Sequence, residues 1–179
     1  MENASKALLI AGGVLIAILV MTVGVYFSRM IADHSARVYA QLEESRRTEF
    51  NQKFLNYDIN HRKEDGSSNI DLTIQDVVTI ANLAQSSNIS NGLMKKKSDG
   101  TIEAIRPLGF NNTWNSNNWN NIKSYYVAVN CKGTYIEDKS ESELNNGMTY
   151  EMKGNILKYS CKVYINQNTG YVNYIEITN

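Results

Sequence analysis

The sequence predicts an α+β protein: a long N-terminal transmembrane-plus-stalk helix packed against a small antiparallel sheet with one further helix. Three observations predict it. An apolar run near the N-terminus passes unbroken into a helical pattern; an amphipathic stripe follows near residue 74; the last third alternates in steps of two. The expected organisation is an N-terminal anchor over 1–28, an amphipathic stalk over 29–58 and an α+β globular head over 59–179.

From Ala7 to Phe27 the chain carries no charge, and only Thr22 is polar. A helix over those positions is roughly 31 Å long, close to the hydrocarbon thickness of a bilayer. A cleaved signal has a shorter apolar core of about 7–15 residues and a small-x-small site. Ser28-Arg29-Met30 offers no such site, so a retained membrane anchor is expected rather than a cleaved signal or a buried core helix. Gly13 and Ala17 form a small-xxx-small pair, the pattern that lets membrane helices approach closely. Such a face offers copies of the chain, or other envelope proteins, a place to pack.

The helical pattern continues through Ile31, Val38, Leu42 and Phe50 to Leu55, with charges between. No Gly or Pro interrupts the chain between Val25 and Gly66, so one helix from about Ser5 to Tyr57 is expected; the alternative is two helices with a bend near Ser28. "NHRKEDGSSN" (60–69) reads as a polar loop broken at Gly66. Thr73 with Asp76 approximates a capping box, and Ile74, Val77, Val78, Ala81, Leu83 and Ala84 give an amphipathic helix over 74–86. "LMKKKSDGTIEAI" reads as a hairpin turning at Asp99-Gly100.

The last third reads as strands. Tyr125, Val127, Val129 and Cys131 alternate with other residues, as do Leu157, Tyr159, Cys161, Val163 and Ile165; Ile175 and Ile177 follow in phase after an "NQNTG" turn. This puts Cys131 and Cys161 on apolar faces of two strands, as either a disulfide or two inert buried thiols.

Lys+Arg and Asp+Glu both number 18, which gives a net charge of zero and no electrostatic drive towards nucleic acid. No phosphate loop, nucleophile elbow or zinc signature occurs, so no catalytic residue, cofactor or metal is expected. His34 and His61 read as solvated surface residues, and "EDKSESE" (137–143) and "KKK" (95–97) as solvated charge runs. In "NNTWNSNNWNN" (111–121) seven asparagines surround Trp114 and Trp119, which either stack on a sugar or plug the head's core. Asn-x-Ser/Thr sequons occur at Asn3, Asn88 and Asn111.

Orientation signals conflict. Lys and Arg are more numerous after the apolar run (Arg29, Arg37, Arg46, Arg47) than before it (Lys6), which places the head in the cytoplasm. The Asn/Tyr/Thr-rich head and its cysteine pair are typical of exported surfaces, and an extracytoplasmic head is expected.

A hydrophobic N-terminus running into a long amphipathic helix, then an α+β head with a late cysteine pair, resembles the type IV pilin and pseudopilin layout. The opening "MENASKALLIAGGVLIAILV" and the pattern Phe50-Asn51-Gln52-Lys53-Phe54 with Tyr57 also look like small N-anchored hypothetical membrane proteins of Firmicutes. The resemblance implies a non-enzymatic structural or assembly component of the cell envelope. Pilins carry a glutamate inside the start of the apolar run. Here none lies in residues 3–42, and Glu2 precedes the run. The other expectation is a membrane-tethered module that recognises an envelope glycan or protein ligand through the Trp/Asn loop.

Overall fold

The structure, a computed structural model, describes residues 2–64, 71–104, 125–140, 142–144 and 158–179. The chain divides into two compact units, Met1–Arg46 and Arg47–Asn179. The first consists of most of helix α1, which runs from Glu2 to Leu55 without a break at Ser28. Thr22 of the apolar run donates its hydroxyl to the Ile18 carbonyl at 2.7 Å, which satisfies it within the helix.

The second unit opens with the last turns of α1. Phe54 is buried, and Phe50 meets Phe54 and Tyr171 edge-to-face with centroids 5.5 and 5.3 Å apart. The expected loop after α1 begins instead as a short helix, α2 (Ile59–Glu64). Asp58 starts it: its Oδ2 accepts from the amides of Asn60 and His61, both at 3.1 Å. Residues 65–70 lie outside the described part of the chain. Helix α3 spans Ile74–Ser90, four residues beyond the expected end, and Thr73 with Asp76 forms the full capping box.

Strands β1 (Met94–Lys96) and β2 (Ile102–Ala104) form the expected hairpin. A four-stranded sheet holds β3 (Ala128–Cys131), β4 (Thr134–Tyr135), β5 (Ser160–Ile165) and β6 (Val172–Thr178) in the order β4-β3-β6-β5. The β3–β4 and β5–β6 joins are antiparallel, and the central β3–β6 pair is parallel. Alternation within strands cannot report direction, because it only sorts residues between faces. The β3–β4 hairpin turns through Lys132 (φ 53°) and Gly133 (φ 84°), both in the left-handed region that a two-residue turn requires.

Both faces of this sheet are covered. On one, Val129, Cys161, Val172, Ile175 and Ile177 pack with Val77, Ile80, Ala81 and Ala84 of α3 and with Phe54. On the other, Tyr126, Ala128, Tyr135 and Tyr174 pack with Met94, Ile102 and Ala104 of the hairpin. The register shift at Tyr164/Ile165 puts Ile165 out of phase, and it is exposed.

The disulfide alternative is corrected: no disulfide joins Cys131 and Cys161. Each pairs with Ile177, Cys131 from β3 on one side of β6 and Cys161 from β5 on the other. Two strand spacings separate them by about 10 Å, beyond the ~7 Å that a disulfide tolerates between Cα atoms. The reading of 137–143 as a wholly solvated run is corrected too, because Glu137 is fully buried.

Candidate functional site

The N-terminal unit is defined by what it leaves uncovered. Leu8, Leu9, Ile10, Leu15, Leu19 and Phe27 are exposed, and none of the apolar stretch is buried. It is the one helix among the described residues that is long and apolar enough to cross a membrane. Leaving a large aliphatic side chain in water forfeits roughly 1.5–3 kcal/mol relative to burying it, so a run of this length requires a covering medium. Exposed apolar residues also continue past Arg29, the first charge after the run, at Ile31 (64% exposed), Val38 and Leu42. At 100° per residue these three share one face with Gly13, Ala17 and Gly24, while Asp33, Arg37 and Glu44 fall on the opposite face. A side chain added at Gly13 or Gly24 meets nothing within 4 Å in the single chain.

The second unit is held at its strand edges by buried polar side chains that bond backbone. Asn51 of α1 donates from Nδ2 to the Gly170 carbonyl at 2.7 Å and accepts the Val172 amide at 2.9 Å. Asp58 accepts the Val163 amide of edge strand β5 at 2.8 Å. Asn88 of α3 accepts the Val127 amide and donates to the Val127 carbonyl, both at 2.8 Å, as a neighbouring strand would. Glu137 accepts the Val129 amide through Oε2 and bonds the Tyr126 hydroxyl through Oε1, both at 3.0 Å. Each tie satisfies a strand-edge amide that would otherwise be lost to solvent or to another chain.

Glu137 is the unusual member of this set. Burial pushes its carboxyl up to about 7, against the opposing pull of the Val129 amide and the Tyr126 hydroxyl. Its segment is held to α3 by Gln85, whose Nε2 donates to the Glu137 and Lys139 carbonyls at 3.3 and 3.0 Å. Beside it lies an open groove of about 280 Å³ between α3 and the β1–β2 hairpin. Gln85, Ser86, Ile89, Lys96, Ile102 and Ser140 are among its walls. By contrast, the Cys161 thiol is pushed up to about 12 by burial, with Asp58 adding to the shift, which fits an inert core residue.

The other sequence-singled residues take plain positions. His34 is exposed and His61 half-buried, and among the described residues no cluster of three or more His, Cys, Asp or Glu is placed to hold a metal. Lys95, Lys96 and Lys97 are exposed, with Lys97 3.5 Å from Glu103. Asn88 is buried with its amide bonded on both sides, so its sequon is closed to modification in the folded head. Trp114, Trp119 and the Asn111 sequon lie outside the described residues. Sequence reasoning missed Asn51, Asp58, Asn88 and Glu137 as structural ties. Asn88 had a visible signal: it continues the stripe of Val77, Ala81 and Ala84, where a polar residue must find a buried partner.

No protein-family model, no characterised protein and no solved structure matches this chain.

Proposed function

We propose that this chain is a single-pass, N-terminally anchored membrane protein that acts as a non-enzymatic, pilin-like structural or assembly component of the cell envelope. The observation that carries this reading is the exposed apolar run of α1, which no part of the described chain buries. Lipid is the medium whose thickness matches it. The likeness to pilins is one of layout.

Assembly through the helix is supported by its single uncharged stripe, in which Gly13, Ala17 and Gly24 line up with the exposed Ile31, Val38 and Leu42. Small residues allow close approach in lipid, and the larger ones offer apolar contact beyond it. The extracytoplasmic placement of the head rests on its Asn-, Tyr- and Thr-rich composition. With no disulfide between Cys131 and Cys161, the support that one would have lent is withdrawn, and the Lys/Arg count points the other way.

Two measurements test this reading. Membrane pellets washed with alkaline carbonate retain the full chain, and release into the supernatant contradicts anchoring. Cross-linking in native membranes gives homomeric species that decrease when Gly13 and Ala17 are both changed to Leu. Unchanged cross-linking removes the assembly role from this stripe and leaves the anchor standing.

A further inference from the structure

Glu137 is completely buried, and among the described residues no cation pairs with it. The titratable groups that face it are Tyr126, from the segment leading into β3, and Asp138, its neighbour in the chain. Helix α3 packs on the segment through the neutral Gln85, and β3 presents the Val129 amide. Protonated, the carboxyl keeps both contacts: one oxygen accepts the Val129 amide, and the other donates to a turned Tyr126 hydroxyl. Ionised, it keeps the same contacts but holds an unpaired charge out of water, which burial penalises heavily.

The carboxyl lies in a segment with a defined role. Ile136 donates its amide to the Val129 carbonyl at 2.9 Å and packs in the core with Leu144, while Ser140 forms part of the groove wall. Whatever releases Glu137 therefore frees the edge of β3 and one side of that groove. We propose that Glu137 is a proton-operated latch: with its carboxyl protonated, the segment Ile136–Ser140 is held against β3 and α3, and loss of the proton loosens that segment. This role is independent of membrane anchoring.

The test is amide hydrogen exchange on the full chain in detergent micelles, followed in peptides covering residues 134–144 between pH 5.5 and 8.5 and corrected for the intrinsic pH dependence of exchange. Opening coupled to loss of one proton accelerates exchange by up to about tenfold per pH unit as the pH rises from the ordinary carboxyl value of 4.5 towards the buried value of about 7, and the acceleration levels off above it. Glu137→Gln, which cannot ionise, shows a flat profile. A flat profile in the native chain, or an equal rise in both, overturns the proposal. If Glu137→Gln does not fold, a carbon-13 titration of the native Glu137 carboxyl decides. A midpoint near neutrality with exchange rising alongside it supports the latch, and a midpoint below about 5, in the ordinary carboxylate range, overturns it.

Discussion

Asn51, close to the C-terminal end of α1, bonds the start of β6 as another strand would: its Oδ1 accepts the Val172 amide at 2.9 Å. Its Nδ2 meanwhile donates to the Gly170 carbonyl at 2.7 Å. Val172 is buried and Gly170 half-buried. Asn51→Ala leaves both unpaired, and the expected loss is about 1–3 kcal/mol of head stability. Asn51→Asp keeps the acceptor but turns a carboxylate towards the Gly170 carbonyl, so it does not restore the loss. Denaturant unfolding of the full chain in micelles checks both. Stability unchanged in Asn51→Ala would show that this tie carries no weight.

Gly170 is a second determinant of the same junction. Its φ of +73° lies in the left-handed region, and a Cβ there would stand 2.8 Å from Cδ of Arg47. The backbone penalty alone is about 1–2 kcal/mol, and the Arg47 side chain must also shift. Gly170→Ala is therefore expected to lower the melting temperature. Gly92 has a similar φ of +70° with open space around it, so Gly92→Ala incurs the backbone term only and costs less.

Stability against pH carries the mark of Glu137. Its folded value of about 7 stands above the ordinary 4.5, so its contribution is fully present below pH 4.5 and is lost as the pH rises through 7. The difference of 2.5 units (7 − 4.5) corresponds to roughly 3 kcal/mol at most. Glu137→Gln is expected to remove this decline between pH 5 and 8. Parallel slopes in the two proteins would assign the pH dependence to other groups.

The two thiols give a further check. Because Cys131 and Cys161 flank Ile177 on opposite sides of β6, reductant is expected to leave the melting temperature unchanged. Cys161 is expected to react with iodoacetamide only on unfolding, since it is buried with its thiol held protonated. An intact mass two hydrogen atoms lighter than the reduced chain would contradict this.

Much of the fold was legible because long patterns average over local exceptions. The 54 residues of α1 contain no helix breaker other than the glycines of the apolar run, and Thr73 with Asp76 announced α3 by a side-chain exchange that is local in sequence. The partners of β6 were not legible, because pairing the distant β3 with it in parallel depends on the whole head. The second covered face was hidden by tyrosine, whose apolar ring and polar tip suit either side of a sheet: Tyr126, Tyr135 and Tyr174 are core residues here. Glu137 was hidden by its neighbours. A glutamate among Asp138, Lys139 and Ser140 reads as solvated, and its bonds to Tyr126 and Val129 appear only once the chain turns back on β3.

The central claim is that α1 crosses a bilayer and places the head outside the cytoplasm. The most direct measurement is labelling of a Ser98→Cys variant, at the exposed tip of the β1–β2 hairpin, with a membrane-impermeant maleimide in intact cells. Cys131→Ser and Cys161→Ser in the background leave one reactive thiol. Labelling before permeabilisation, with the protein in the carbonate-resistant membrane pellet, is the predicted result. Labelling only after permeabilisation would contradict the outward placement, and a chain found wholly in the soluble fraction would contradict the anchor itself.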